Sequence, residues 1–308
     1  MKRFQKILFV SIGSKEDRVV IDRANQLAVA NQAQITLLKV LEDIPRPASL
    51  LMKEKRLVDF QKASHDLAQK ELDELAQKID SKVKVHTKIV FGKPFIEIIK
   101  MVQIGSYDIL IKPKIPIRKS HFLDSTELHL FRKCPCPLWF IKPNQRKPFS
   151  KILIAVDPDP TEQDRFNLHV DLLKLGTSLA DIEQGKVEVV HIWNVYGESL
   201  MAGPFINMSE DEIDAIVKEE KKTHKAWLED LLKPYSEKKL KVTMKKGLTG
   251  QTLVNMIEGK KPDIVVMGTV ARVGLSGLLI GNTAEYVLGQ IKCSIFAVKP
   301  KGFKTPVT

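Results

Sequence analysis

Short, nearly uninterrupted apolar runs alternate along this chain with long amphipathic stretches. The runs Ile7–Val10, "QITLLKVL" from Gln34 and "YDILIK" from Tyr107 are followed later by Ile152–Val156, "KVEVVHIW" from Lys186 and "PDIVVMG" from Pro262. Runs rich in Val, Ile and Leu with little polar alternation predict strands buried on both faces. Helical stretches separate them, over Glu16–Asn31 and Thr161–Asp181, then over Arg56–Ile79 and Ser209–Glu237. A third strand, "KVKVHTKIVF" or "LKVTMKKG", leads to a short helix after Gly92 or Gly247. A last helix and a last strand close each half. Strands alternating with helices predict parallel sheets with right-handed crossovers.

The same order of elements occurs twice, and the residues repeat with it. "KILFVSIGS" from Lys6 matches "KILIAVDPD" from Lys151, and "CPLWFIKP" from Cys136 matches "CSIFAVKP" from Cys293. "FGKPFIEIIKMVQIGSYDILIK" from Phe91 matches "KGLTGQTLVNMIEGKKPDIVVMG" from Lys246, with equal spacing from Gly92 to Asp108 and from Gly247 to Asp263. Three anchors in one order predict a tandem repeat. We assign residues 1–143 and 151–308 to two α/β domains, each an open five-stranded parallel sheet with helices on both faces. Residues 144–150, within the proline-containing "KPNQRKPFS", form the linker. The last strands, "LWFIKP" and "IFAVKP", are expected to bring the halves together. A length of 308 residues suits two domains of about 150 residues each.

Charge and cysteines narrow the picture only slightly. The net charge of +12 lies in the first half: residues 1–150 hold 28 Lys and Arg against 16 Asp and Glu, and residues 151–308 hold 21 of each. The cations are dispersed and few aromatics lie among them, which predicts a solvated basic surface rather than a specific nucleic-acid site. Three cysteines, Cys134, Cys136 and Cys293, do not suggest a disulfide framework, and a reducing cytoplasm is expected. The apolar window Ile264–Ala284 contains Arg272 and several glycines, so it reads as strand and loop, not as a membrane span.

Candidate chemistry centres on "GTVARVGLSGLLIGNTAEYV", Gly268 to Val287, which follows the fourth strand of the second half. Ligands of open α/β sheets bind at the carboxyl ends of the strands. Gly268 and Gly281 permit close backbone approach to an anion, and Asn282 and Thr283 can cap the helix of "AEYVLGQ", whose N-terminus offers free N–H groups. Arg272 adds a charged donor. Asp157, at the carboxyl end of the first strand, lies on the same edge and can accept from ribose hydroxyls or an adenine amine. The lysine of a P-loop is absent, and no dinucleotide fingerprint follows either first strand.

"VMGTVARVGLSGLLIGNTAEYVL", with "CSIFAVKP" and "ILIAVD", resembles the universal stress protein family, and the resemblance covers essentially the whole chain. It implies a fold like that of the adenine nucleotide alpha hydrolases and ATP, with or without magnesium, as ligand of the second half. It places the site on Ala155, Val156, Asp157, Ile192, Met267, Gly268, Ala271, Arg272, Gly281, Asn282 and Thr283. Two of these depart from the family's G-x2-G-x9-G-[ST]: Ala271 replaces the second glycine and Asn282 the Ser/Thr. The first half departs throughout. Ile12 stands where Asp157 does, Pro113 stands where Gly268 does, and no glycine lies between Gly105 and the end of that half. It is expected not to bind ATP in the family manner.

Other patterns carry less. His121, His129, Cys134 and Cys136 match no zinc-site spacing, and His191 inside an apolar strand reads as a satisfied core histidine. "SEDEIDAIVKEEKK" reads as a solvated amphipathic helix. "VGLSGLLIG", "EDIPRPASLLM" and "YGESLMAGPFINM" mix apolar residues into connecting segments and are candidates for covering a hydrophobic pocket. The expected function is a cytoplasmic, nucleotide-responsive interaction module of the stress response, with an adenine nucleotide and an unidentified protein as partners and a homodimer as one assembly. No catalytic residue is assigned. A slow ATPase and a carrier of a small hydrophobic ligand are the alternatives.

Overall fold

A computed structural model describes residues 4–44, 53–114, 125–143, 148–269 and 281–307. The chain divides into two compact units, one of residues 1–147 with 294–299 and 303–308, the other of residues 148–293 with 300–302.

In the first unit β1 (Lys6–Ser11), α1 (Asp17–Asn31), β2 (Gln34–Leu41), α2 (Glu54–Ala76) and β3 (Val85–Phe91) are followed by α3 (Pro94–Gly105), β4 (Ile109–Pro113), α4 (Ser125–Lys133) and β5 (Leu138–Ile141). These strands are parallel, in the order β3-β2-β1-β4-β5. The apolar runs explain the order of burial. Ile7 to Ser11 of β1 and all of β4 and β5 are buried, so side chains on both faces are covered. The terminal strand β3 is largely exposed. A sixth strand, β10 (Ser294–Val298), runs antiparallel beside β5, pairing Phe296 with Trp139. The last strands of the two repeats thus meet, and β10 clusters with the first unit.

The second unit holds β6 (Lys151–Val156), α5 (Gln163–Glu183), β7 (Lys186–Trp193), the short α6 (Glu198–Met201) and α7 (Glu210–Leu232). A 3-10 turn (Lys233–Tyr235), β8 (Lys241–Lys246), α8 (Thr249–Lys260), β9 (Ile264–Gly268) and α9 (Asn282–Gln290) complete it. Its strands are parallel in the order β9-β6-β7-β8, so direction of growth reverses at β6. Helix α7 starts with a capping box in which Ser209 and Glu212 each bond the other's backbone. Helices α1 and α5 end alike, at Gln32 and Gln184 in the left-handed conformation. Gly176 lets α5 approach β6: a Cβ there would lie 2.3 Å from Ile154 Cδ1.

Candidate nucleotide site

Strand register assembles the second unit's edge. Val156 pairs with His191, and the pairing of Ile154 with Val266 sets Val156 level with Gly268. Val156, Asp157, Met267 and Gly268 therefore come to one carboxyl edge, with Ile192 on the neighbouring strand. Ile192 and Met267 are buried, and Ala155 is half-buried. The N–H of Gly281 donates to Thr269 O at 3.0 Å, which sets the start of the next helix beside the end of β9. There α9 begins, and its N-cap is Gly281 rather than Asn282 or Thr283, which both lie in its first turn. Ala271, Arg272 and the apolar "VGLSGLLI" lie outside the described residues, as does the side chain of Asn282.

The residue after β6 is held on three sides. The Asp157 N–H donates to His169 Nδ1 at 3.3 Å. The Arg165 guanidinium forms an ion pair with the Asp157 carboxylate, whose side chain remains 41% exposed. His191 Nδ1 lies 3.1 Å from Val156 O. These contacts dictate protonation. A backbone N–H can only donate, so His169 Nδ1 carries a lone pair. A carbonyl can only accept, so His191 Nδ1 carries the proton and its Nε2, when neutral, is an acceptor. His224 Nδ1, 2.9 Å from that Nε2, is then the donor. Its own Nε2 faces Glu220 at 3.7 Å, and the rings of Trp193 and Trp227 lie 5.7 and 5.0 Å away.

Electrostatics agree with neutral rings. Burial, then the charge of Arg165 and the neighbouring His191, lowers His169 to about 3. Burial lowers His191 to about 4, against the opposing bond to Val156 O, with His224 and Arg165 adding to the fall. Burial also lowers His224, although Glu220 and Asp159 oppose it. His191 is fully buried with both ring nitrogens hydrogen-bonded, as its apolar strand predicts.

His169, Arg165 and His224 escaped the sequence reading. A signal existed for two of them: Arg165 and His169 are four apart on α5 and share one helix face. That this face meets the end of β6 is a tertiary fact.

The first unit's edge is built differently. Asp17, buried at the start of α1, accepts from the backbone N–H groups of Ile12 (3.1 Å), Gly13 (2.8 Å) and Ser14 (3.2 Å), and from Ser11 Oγ (2.9 Å). Burial raises its pKa despite those four opposing bonds. Counting back from the matching ends of α1 and α5, Asp17 occupies the position of His169. Lys39 occupies that of His191 and pairs with Glu71 at 3.0 Å. The loop that would approach a ligand is closed by the chain's own carboxylate.

The remaining candidates are dispersed. His121 lies outside the described residues, His129 stacks on Phe95 at 4.1 Å, and the buried sulfurs of Cys134 and Cys136 are 3.7 Å apart. Among the described residues no group of three His, Cys, Asp or Glu is arranged to hold a metal ion. None of their helices is long and apolar enough to cross a membrane. Of the apolar connecting segments, most of "EDIPRPASLLM" is outside the described residues, whereas Tyr196, Leu200, Phe205 and Ile206 of the second unit are exposed.

Comparison with known proteins matches this architecture. The universal stress protein family model fits residues 3–142 and again 148–299. Universal stress protein E of Salmonella typhi is 30% identical over 234 residues, covering 74% of this chain and 73% of that protein. Universal stress protein E of Photorhabdus laumondii is 24% identical over 311 residues, covering 100% and 98%. Among solved structures, a universal stress protein from Archaeoglobus fulgidus superposes with a TM-score of 0.66 at 17% identity, covering 97% of this chain and 98% of that one, a likeness of fold. The chain belongs to the universal stress protein family, as a tandem member with two such domains, similar to universal stress protein E.

Proposed function

We propose that the second unit binds ATP at the carboxyl edge of β6 and β9 and that occupancy there controls its interaction with a protein partner. The observation that carries this reading is Asp157. Its carboxylate is half exposed while its backbone N–H and the preceding carbonyl are tied to His169 and His191. ATP supplies an adenine amine, ribose hydroxyls and a triphosphate when bound. The Asp157 carboxylate accepts from the adenosine donors, and its ion pair with Arg165 holds it in place. Gly281 and the first-turn N–H groups of α9 receive the anionic end, as a helix N-terminus can. Magnesium, where present, is carried by the phosphates. The first unit takes no nucleotide in this manner, because Asp17 already consumes the N–H groups of its β1–α1 loop.

The exposed Tyr196 and Phe205, on the segment leaving β7 at this same edge, are the surface through which occupancy is read. Slow ATP hydrolysis is the second reading. Asp157 is ion-paired and the inner histidines are hydrogen-bonded, so activation of water there is weak. Native mass spectrometry with Mg-ATP tests the proposal: one nucleotide per chain, lost in Gly281→Val, is expected. No nucleotide at millimolar ATP overturns it. Phosphate release that falls in Asp157→Ala would favour the ATPase instead.

A further inference from the structure

A cleft of about 720 Å³ opens at the other edge of the second unit's sheet, where the strands begin. Its volume lies within the range of about 300–1,000 Å³ usual for small-molecule sites. Lys151 starts β6, Lys186 starts β7 and Lys241 starts β8, and all three line it. Lys238, Lys239 and Lys260 join them. The floor is apolar, made of Ile152, Leu153, Val187, Leu240 and Pro262.

The lysines outnumber what the fold needs there. Two carboxylates line the cleft and both are taken. Glu188 is 2.7 Å from Lys260 and 3.7 Å from Lys241, and Asp181 is 2.7 Å from Lys238. Burial works against Glu188, but the bonds from Lys260 and Thr243 outweigh it and hold its carboxyl below the usual range. Helices α5 and α8 end at this edge, and each C-terminus offers about half a negative charge. Six lysines against two carboxylates and two helix ends leave an excess of about three positive charges. Residues 151–308 as a whole balance to zero, so the excess is a local concentration. Lys151, Lys186 and Lys239 have no ion-pair partner among the described residues.

We infer that this cleft binds a small amphipathic phosphate ester, its apolar body on the Ile152–Val187–Leu240 floor and its phosphate among Lys151, Lys186 and Lys239. A purely inorganic anion would leave the floor wet, and a neutral apolar ligand would leave the ammonium groups without a counter-charge. Lysine meets a phosphate as a mobile point charge and needs no fixed bidentate geometry. The site is separate from the nucleotide edge and stands whether or not ATP binds there.

Isothermal titration of the full chain with decyl phosphate below its micelle concentration tests this, alongside inorganic phosphate and decanol. One decyl phosphate per chain is expected, bound about tenfold or more tightly than either fragment. The double variant Lys186→Glu/Lys239→Glu, on two exposed side chains, should weaken it by about tenfold or more with the urea midpoint little changed. Gly281→Val should leave it unchanged. Inorganic phosphate binding equally well would reduce the cleft to a bare anion site and overturn the inference. So would equal binding of decanol, or full affinity in the double variant.

Discussion

Lowering the pH from 8 to 5 is expected to destabilise the second unit through His169 and His191. Both rings are held neutral by their partners: a backbone N–H points at His169 Nδ1, and His191 lies between Val156 O and His224. Their folded pKa values, about 3 and about 4, lie below the ordinary 6.5. The unfolded chain therefore binds more protons as the pH falls below 6.5. The stability these rings contribute is complete above that value and is lost as the pH drops toward 3 to 4. At pH 5 the loss is about 2 kcal/mol for each ring, or about 4 kcal/mol together. That is a large share of the roughly 5–15 kcal/mol that stabilises a domain. Urea titrations followed by tryptophan fluorescence measure it, because Trp193 and Trp227 both lie beside His224. His169→Asn isolates one ring. The amide oxygen can accept the Asp157 N–H but does not titrate, so the drop between pH 8 and 5 should shrink by about 2 kcal/mol. An equal drop in the variant and the parent protein would refute the neutral-acceptor assignment of His169. A parent protein indifferent to pH over this range would refute the assignment of both rings.

Two further expectations concern packing and buried charge. Gly176→Ala should cost about 1–3 kcal/mol in urea or thermal melts, because the added methyl meets Ile154 on β6 and α5 must shift away. In the first unit Lys112 and Glu127, both nearly inaccessible, pair at 3.2 Å. Lys112→Met should cost about 3–5 kcal/mol by removing one partner of a buried ion pair, whereas Lys112→Met/Glu127→Leu should cost much less. Equal losses in the single and double variants would show that the pair's charge is not what matters.

The repeat, the strand–helix alternation and the edge on which Asp157 and Gly268 sit were legible in the sequence. Hydrophobic period and residue order carry that information locally, and each half repeats it. Some boundaries moved for local reasons too. The helix expected over Ser209–Glu237 runs only from Glu210 to Leu232 and tightens to a 3-10 turn at Pro234, which has no N–H to continue the ladder. What only the tertiary structure decided depends on partners far apart in the chain. The sequence leads us to expect the two last strands to meet, but the antiparallel direction and register of β10 on β5, between residues 155 to 159 positions apart, are encoded in no local pattern. Likewise, nothing in "RFNLH" says that Arg165 and His169 will close on the end of β6, and nothing near Asp17 says that it will fill the corresponding loop of the first unit. A side chain's chemistry is written in the sequence, but its protonation state and its role follow from the donor or acceptor that folding places against it.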